Sequence, residues 1–134
     1  MLEASLVPEK SAVTASGYGP AIDIRKSNGR IFLLTLSITA VVEQESIDVS
    51  IFASPDGERW DAKPLAAFPQ KFYCEQAPLL LNLTARPDIQ FIRAHWAVNR
   101  WGRGTLLPMF EFGLRLQEVP EEILAEASSR LPTH

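Results

Sequence analysis

Several residue types are scarce in this chain, and each scarcity removes a class of function. A single cysteine, Cys74, excludes an intrachain disulfide, and with two histidines it cannot build a cysteine-rich zinc site. No phosphate-cradling glycine loop and no metalloprotease histidine pair occurs, so no cofactor is expected. Long apolar runs are missing too. The nearest approach, Ile31 to Val42, is interrupted by Thr35, Ser37 and Thr39 and is too short to cross a bilayer. The opening MLEASLVPEKSAVTASG carries no basic leader followed by an apolar stretch, so the expected location is the cytoplasm or a particle assembled there. A net charge of −3 and a pI near 5.4 argue against nucleic acid as a partner.

What is present describes a single globular domain over residues 1–134. Of these residues 46% are apolar and 22% charged, with a mean hydropathy of +0.01. Ten prolines, seven glycines, seven Phe, three Trp and two Tyr suit many short strands joined by tight turns. The dominant period is two. Phe32, Leu34, Leu36, Ile38, Ala40 and Val42 alternate with Thr35, Ser37 and Thr39, which predicts a strand with one buried face. The same alternation predicts strands over Ile47–Ala53, Pro78–Thr84, Ile89–Val98 and Met109–Gln117. Weaker strands are expected at Ala4–Val7 or Ser11–Ala15, at Ala21–Ile24 and at Leu65–Phe68. Seven or eight strands separated by turns such as Ser27-Asn28-Gly29 and Pro55-Asp56-Gly57 predict an all-β antiparallel β-sandwich, jelly-roll-like in its connections. Over residues 119–131 the pattern becomes helical: Pro120, Glu121 and Glu122 suit a first turn, and Ile123, Leu124 and Ala127 form a stripe.

One segment has a recognisable shape. The strand ending at Ala53 runs into Ser54-Pro55-Asp56-Gly57-Glu58-Arg59-Trp60, in which Asp56-Gly57 reverses the chain and Trp60 is expected to cover one end of the core. This Ser-x-Asp-Gly-x-x-Trp hairpin, with Phe91-Ile92-Arg93-Ala94 later, resembles discoidin-like and galactose-binding-like β-sandwich modules. It is similar as well to small β-sandwich proteins associated with phage tails or virions. The resemblance implies a β-sandwich fold and a role in binding or assembly. Discoidin-like domains usually close their ends with a disulfide, which this chain cannot form.

Catalytic chemistry finds little support. His95 falls on the polar face of its strand beside Arg93 and reads as a satisfied surface or partly buried histidine, and Cys74 reads as an inert packed thiol. Glu43, Glu45 and Asp48, then Asp56, Glu58 and Asp61, read as solvated edges rather than a metal site. The chain is therefore expected to be non-enzymatic. The segment Asn99-Arg100-Trp101-Gly102-Arg103-Gly104 is the candidate contact loop, because Trp and Arg are enriched at binding hot spots. Between Arg86 and Arg115 five arginines face two acids, an excess of +3, followed by the acidic Glu118, Glu121, Glu122 and Glu126. If successive strands reverse, one end of the sandwich gathers Tyr73, Arg100, Trp101 and Arg103 near Glu43, Glu45 and Glu75. The chain thus reads as an interaction or assembly module, with itself or another protein as partner. The alternative is a carbohydrate- or small-ligand-binding module using the Trp101 end.

Overall fold

In the computed structural model the alternating segments pair into two antiparallel sheets. The structure describes residues 2–41, 45–100 and 109–119. In chain order the strands are β1 (Glu3–Val13), β2 (Gly17–Tyr18), β3 (Ile22–Asp23), β4 (Ile31–Val41), β5 (Glu45–Ser54), β6 (Ala66–Ala67), β7 (Glu75–Asn82), β8 (Phe91–Arg100) and β9 (Phe110–Glu118). One sheet has the order β1-β9-β4-β7. The other has the order β2-β8-β5-β6, with β3 also paired to β8. Since β5 runs along one side of β8 from Glu45↔Arg100 to Ser54↔Phe91, β2 and β3 share its opposite side.

Burial follows the period of two. Phe32, Leu34, Leu36 and Ile38 of β4 and Phe110, Phe112, Leu114 and Leu116 of β9 are buried. They join Ile47, Val49, Ile51 and Ala53 of β5 and Ile92 and Ala94 of β8 in one cluster. A single core drawn from both sheets makes the architecture β-sandwich-like. Each fully buried Leu, Ile or Phe contributes about 1.5–3 kcal/mol relative to exposure. Trp96, on the inward face of β8, meets Phe112 edge-on at 5.7 Å and donates its indole N–H to the Ala15 carbonyl at 3.1 Å.

Two departures from the expected elements have nonlocal causes. β7 begins three residues earlier than its own alternation suggests, because its pairing with β4 runs from Ile31↔Asn82 to Ile38↔Glu75. Pro78 consequently lies inside β7, tolerable on the outermost strand of a sheet. The two short candidates near the N-terminus are parts of one strand, β1, which bulges between Val7 and Ser11. There Pro8, Glu9 and Lys10 arch past Gly113, and Lys10 adopts a left-handed φ of 58°. From Pro120 onward, the helix expected over 119–131 lies outside the described residues.

Candidate functional site

Strand pairing gathers one set of loops at one end. Glu45↔Arg100, the Ile47↔Lys71 bridge and Ile38↔Glu75 bring Tyr73, Glu75 and the backbone of Arg100 to the same end as Glu45. Trp101, Arg103 and Glu43 lie outside the described residues. Tyr73 is 73% exposed and its ring stands 6.3 Å from that of Phe72. Glu75 holds the Lys71 ammonium at 2.6 Å. Two expectations are corrected here. Glu45 is buried rather than solvated, and its carboxylate accepts the Met109 backbone N–H at 3.2 and 3.3 Å. Cys74 is exposed rather than packed, because it falls in the loop before β7 and not in the core.

At the other end, the Ser54–Trp60 segment is a turn tied by its own side chains. The Ser54 hydroxyl accepts the Gly57 N–H at 2.8 Å and the Asp56 N–H at 3.3 Å. Asp56 Oδ1 accepts the Arg59 and Glu58 N–H groups, both at 2.9 Å. These two backbone donors, Arg59 first, hold the Asp56 carboxyl down to about 2. Gly57 takes a φ of 83°, open to glycine, above the Phe91 ring. The turn does not seat Trp60 against the core as expected. It lays the indole over the guanidinium of Arg93, 4.2 Å from ring centroid to Cζ, because Arg93 points outward from β8.

Around that contact the five-stranded sheet carries a cluster on its outer face. The Arg93 guanidinium also lies 4.1 Å from the Tyr18 ring centroid. Tyr18 tilts against His95 at 4.5 Å, and Phe52 stands edge-on to both, 5.7 Å from His95 and 6.2 Å from Tyr18. Register explains the set: Tyr18 lies opposite His95 across β2 and β8, and Phe52 opposite Arg93 across β5 and β8. Burial, then the Arg93 charge, hold His95 below the ordinary histidine range, so it is neutral at pH 7. Arg93 Nε is sealed from solvent without a hydrogen-bond partner. Tyr18 itself is 54% exposed, so the cluster opens to water on that side.

This surface brings a half-buried cation and three aromatic rings to one place, chemistry suited to recognition. The site residues named from the sequence did not include it. Its available signals were Phe52, an aromatic on the polar phase of its strand, and Arg93 next to His95 in the same phase. Elsewhere, a polar cleft of about 150 Å³ on the outer face of the four-stranded sheet is lined by Glu9, Lys10, Ser37, Thr39, Gln76 and Gly113. Compared with known proteins, the chain matches no family model and has no detectable relative among curated proteins.

Proposed function

We propose that the chain is a non-enzymatic interaction module that engages its partner, itself or another protein, through the outer face of the five-stranded sheet. The observation that carries this reading is Arg93 held against Tyr18 and Trp60 on a solvent-facing sheet surface. Aromatic and arginine side chains are the types that dominate binding energy at interfaces, and here they are already ordered before any partner arrives. We read the fold as a jelly roll. With β2 and β3 taken as one interrupted strand, the orders β1-β9-β4-β7 and β2/β3-β8-β5-β6 support that topology. Jelly rolls serve in virus capsids and lectins, so an assembly role in a particle, suggested by the likeness to phage modules, rests on analogy of fold.

The test is association in solution. Light scattering over a concentration series is expected to give a mass above 14.9 kDa, returning to that value in a Tyr18→Ser, Trp60→Ala double variant that keeps its β-sheet circular dichroism. A mass that stays at 14.9 kDa throughout counts against self-association and leaves another protein as the partner. A second reading, a carbohydrate- or small-ligand-binding module at the Trp101 end, is favoured by the exposed Phe72–Tyr73 pair. For that reading a glycan array should give a signal that Tyr73→Ala removes.

A further inference from the structure

The arginines among the described residues differ in one respect. Arg25 holds Asp23, Arg59 holds Asp56, Arg86 holds Asp88 and Arg115 holds Glu3. Arg30 donates to the carbonyls of Leu83, Arg86 and Ile89. Arg93 has neither a carboxylate nor a carbonyl partner among the described residues; its contacts are the Tyr18 and Trp60 rings. A guanidinium is a planar fork of five donors matched to a pair of oxygens on one group. Rings at about 4 Å stabilise the charge but satisfy none of those donors. The Nε–H is withheld from water with no acceptor, an arrangement that costs about 1–3 kcal/mol and calls for an explanation.

Among the described residues the neighbourhood supplies no counter-charge. His95, the titratable group stacked on Tyr18, is neutral at pH 7 and would add positive charge if protonated. On the adjacent strand Phe52 faces Arg93, and Arg25, whose guanidinium lies 5.0 Å from the Phe91 ring centroid, is already neutralised by Asp23. What the site has is an ordered cation, fixed in orientation by aromatic walls, beside the exposed ring of Tyr18. What it lacks, among the described residues, is an anion.

We propose that Arg93 is an oxyanion-recognition group that takes a carboxylate, sulfate or phosphate borne by the ligand, whose remaining surface packs on Tyr18 and Phe52. This rests on the reading of the outer sheet face as the binding surface and names the chemistry that the surface selects. Pre-stacking lowers the ordering cost of the arginine, and an oxyanion supplies charge-assisted hydrogen bonds to its terminal nitrogens, while the Nε–H stays sealed from solvent. Neutral ligands of the same shape forgo that contact, so the face discriminates by charge. Loss of one such contact weakens binding about tenfold or more.

The test uses three probes on the ¹⁵N-labelled chain: sodium glucuronate, inorganic phosphate and neutral glucose. Saturable movement of the Arg93 Nε–H and Trp60 indole N–H resonances is expected with glucuronate and with phosphate, and none with glucose. A response to glucuronate alone narrows the class to carboxylates; a response to phosphate alone narrows it to tetrahedral anions. Arg93→Gln should abolish the response while thermal melting shows a folded protein, and Trp60→Phe, which keeps a ring over the guanidinium, should retain it. If the glutamine variant does not fold, the comparison of glucuronate with glucose on the unaltered chain decides. Silence of both resonances with both anions overturns the proposal, as does an anion response that survives in a folded Arg93→Gln. Equal movement with glucose and glucuronate also overturns the oxyanion assignment but leaves the outer face standing as a binding surface. The association measurement tests that broader reading separately.

Discussion

A side chain at position 113 has no room. A Cβ built on Gly113 would stand 2.8 Å from Glu9 Cα and 3.2 Å from its backbone N, so the β1 arch and a glycine in β9 require each other. Gly113→Ala is expected to cost about 1–3 kcal/mol through displacement of that backbone, read as a lower urea midpoint at unchanged slope. Arg30 is the other residue whose backbone and side chain act together. It adopts a φ of 57°, and its guanidinium donates to the carbonyls of Leu83, Arg86 and Ile89 at 3.2, 2.8 and 2.6 Å. Replacing it with alanine removes three hydrogen bonds, although the Leu83 and Arg86 carbonyls keep the backbone N–H groups of Arg86 and Ile89, and should cost about 2 kcal/mol. Arg30→Gly loses the same bonds but relieves the left-handed backbone, so it should be about 1 kcal/mol more stable than Arg30→Ala. Equal unfolding midpoints for the two variants would show that the backbone conformation carries no strain. The sequence placed Arg30 beside an Asn-Gly turn signal but gave no hint of its three carbonyls, which come from a segment more than fifty residues later.

Among the elements, the Ser54–Trp60 turn is the one whose chemistry was readable in advance and whose consequence was not. Ser, Asp and Gly at these spacings specify local hydrogen bonds, and they form where expected. Where the indole lands depends on β8, which points Arg93 outward to receive it. Asp56 links this turn to pH. Its folded value of about 2 lies below the unfolded value of about 3.9, so its contribution is complete above the unfolded value and is lost as pH falls toward 2. The thermal midpoint of the unaltered chain should therefore drop more steeply between pH 5 and pH 2, a window of about three units spanning both values, than that of Asp56→Ala. The same variant should loosen Trp60 from Arg93, visible as a red shift of tryptophan emission at neutral pH. Parallel midpoint curves for the two proteins would remove the turn from the acid response.

For the whole molecule, the charge pattern along the chain does not become a charge pattern in space among the described residues. The arginine-rich stretch from Arg86 to Arg115 is divided between the sheets. Arg93 lies on β8 of one sheet and Arg115 on β9 of the other, while Arg86 pairs with Asp88 in the turn before β8. Arg115 reaches Glu3 of β1 at 3.6 Å. Exposed pairs of this kind contribute about 0–1 kcal/mol each and are screened by salt. The melting temperature is accordingly expected to change by less than about 4 °C when sodium chloride is raised well above physiological strength. A larger fall would mean that surface pairing stabilises the fold more than its exposure implies. Stability rests instead on the common core of both sheets.

Alternation by itself determined that this chain forms strands, which faces are apolar, and approximately where β4, β5, β8 and β9 run. That follows because a strand shows alternate residues to opposite sides whatever its neighbours are. Only the tertiary structure decided which strands pair, and with that everything set by a partner. The ends of β7 follow β4, the burial of Glu45 follows the backbone N–H of Met109, and the arch of β1 follows the glycine in β9. The outer cluster belongs to the same class. Tyr18, Phe52, Trp60 and Arg93 come from two strands, a turn and a third strand, so no local pattern can announce their meeting. Local sequence sets the direction of a side chain, and only long-range pairing sets what it meets.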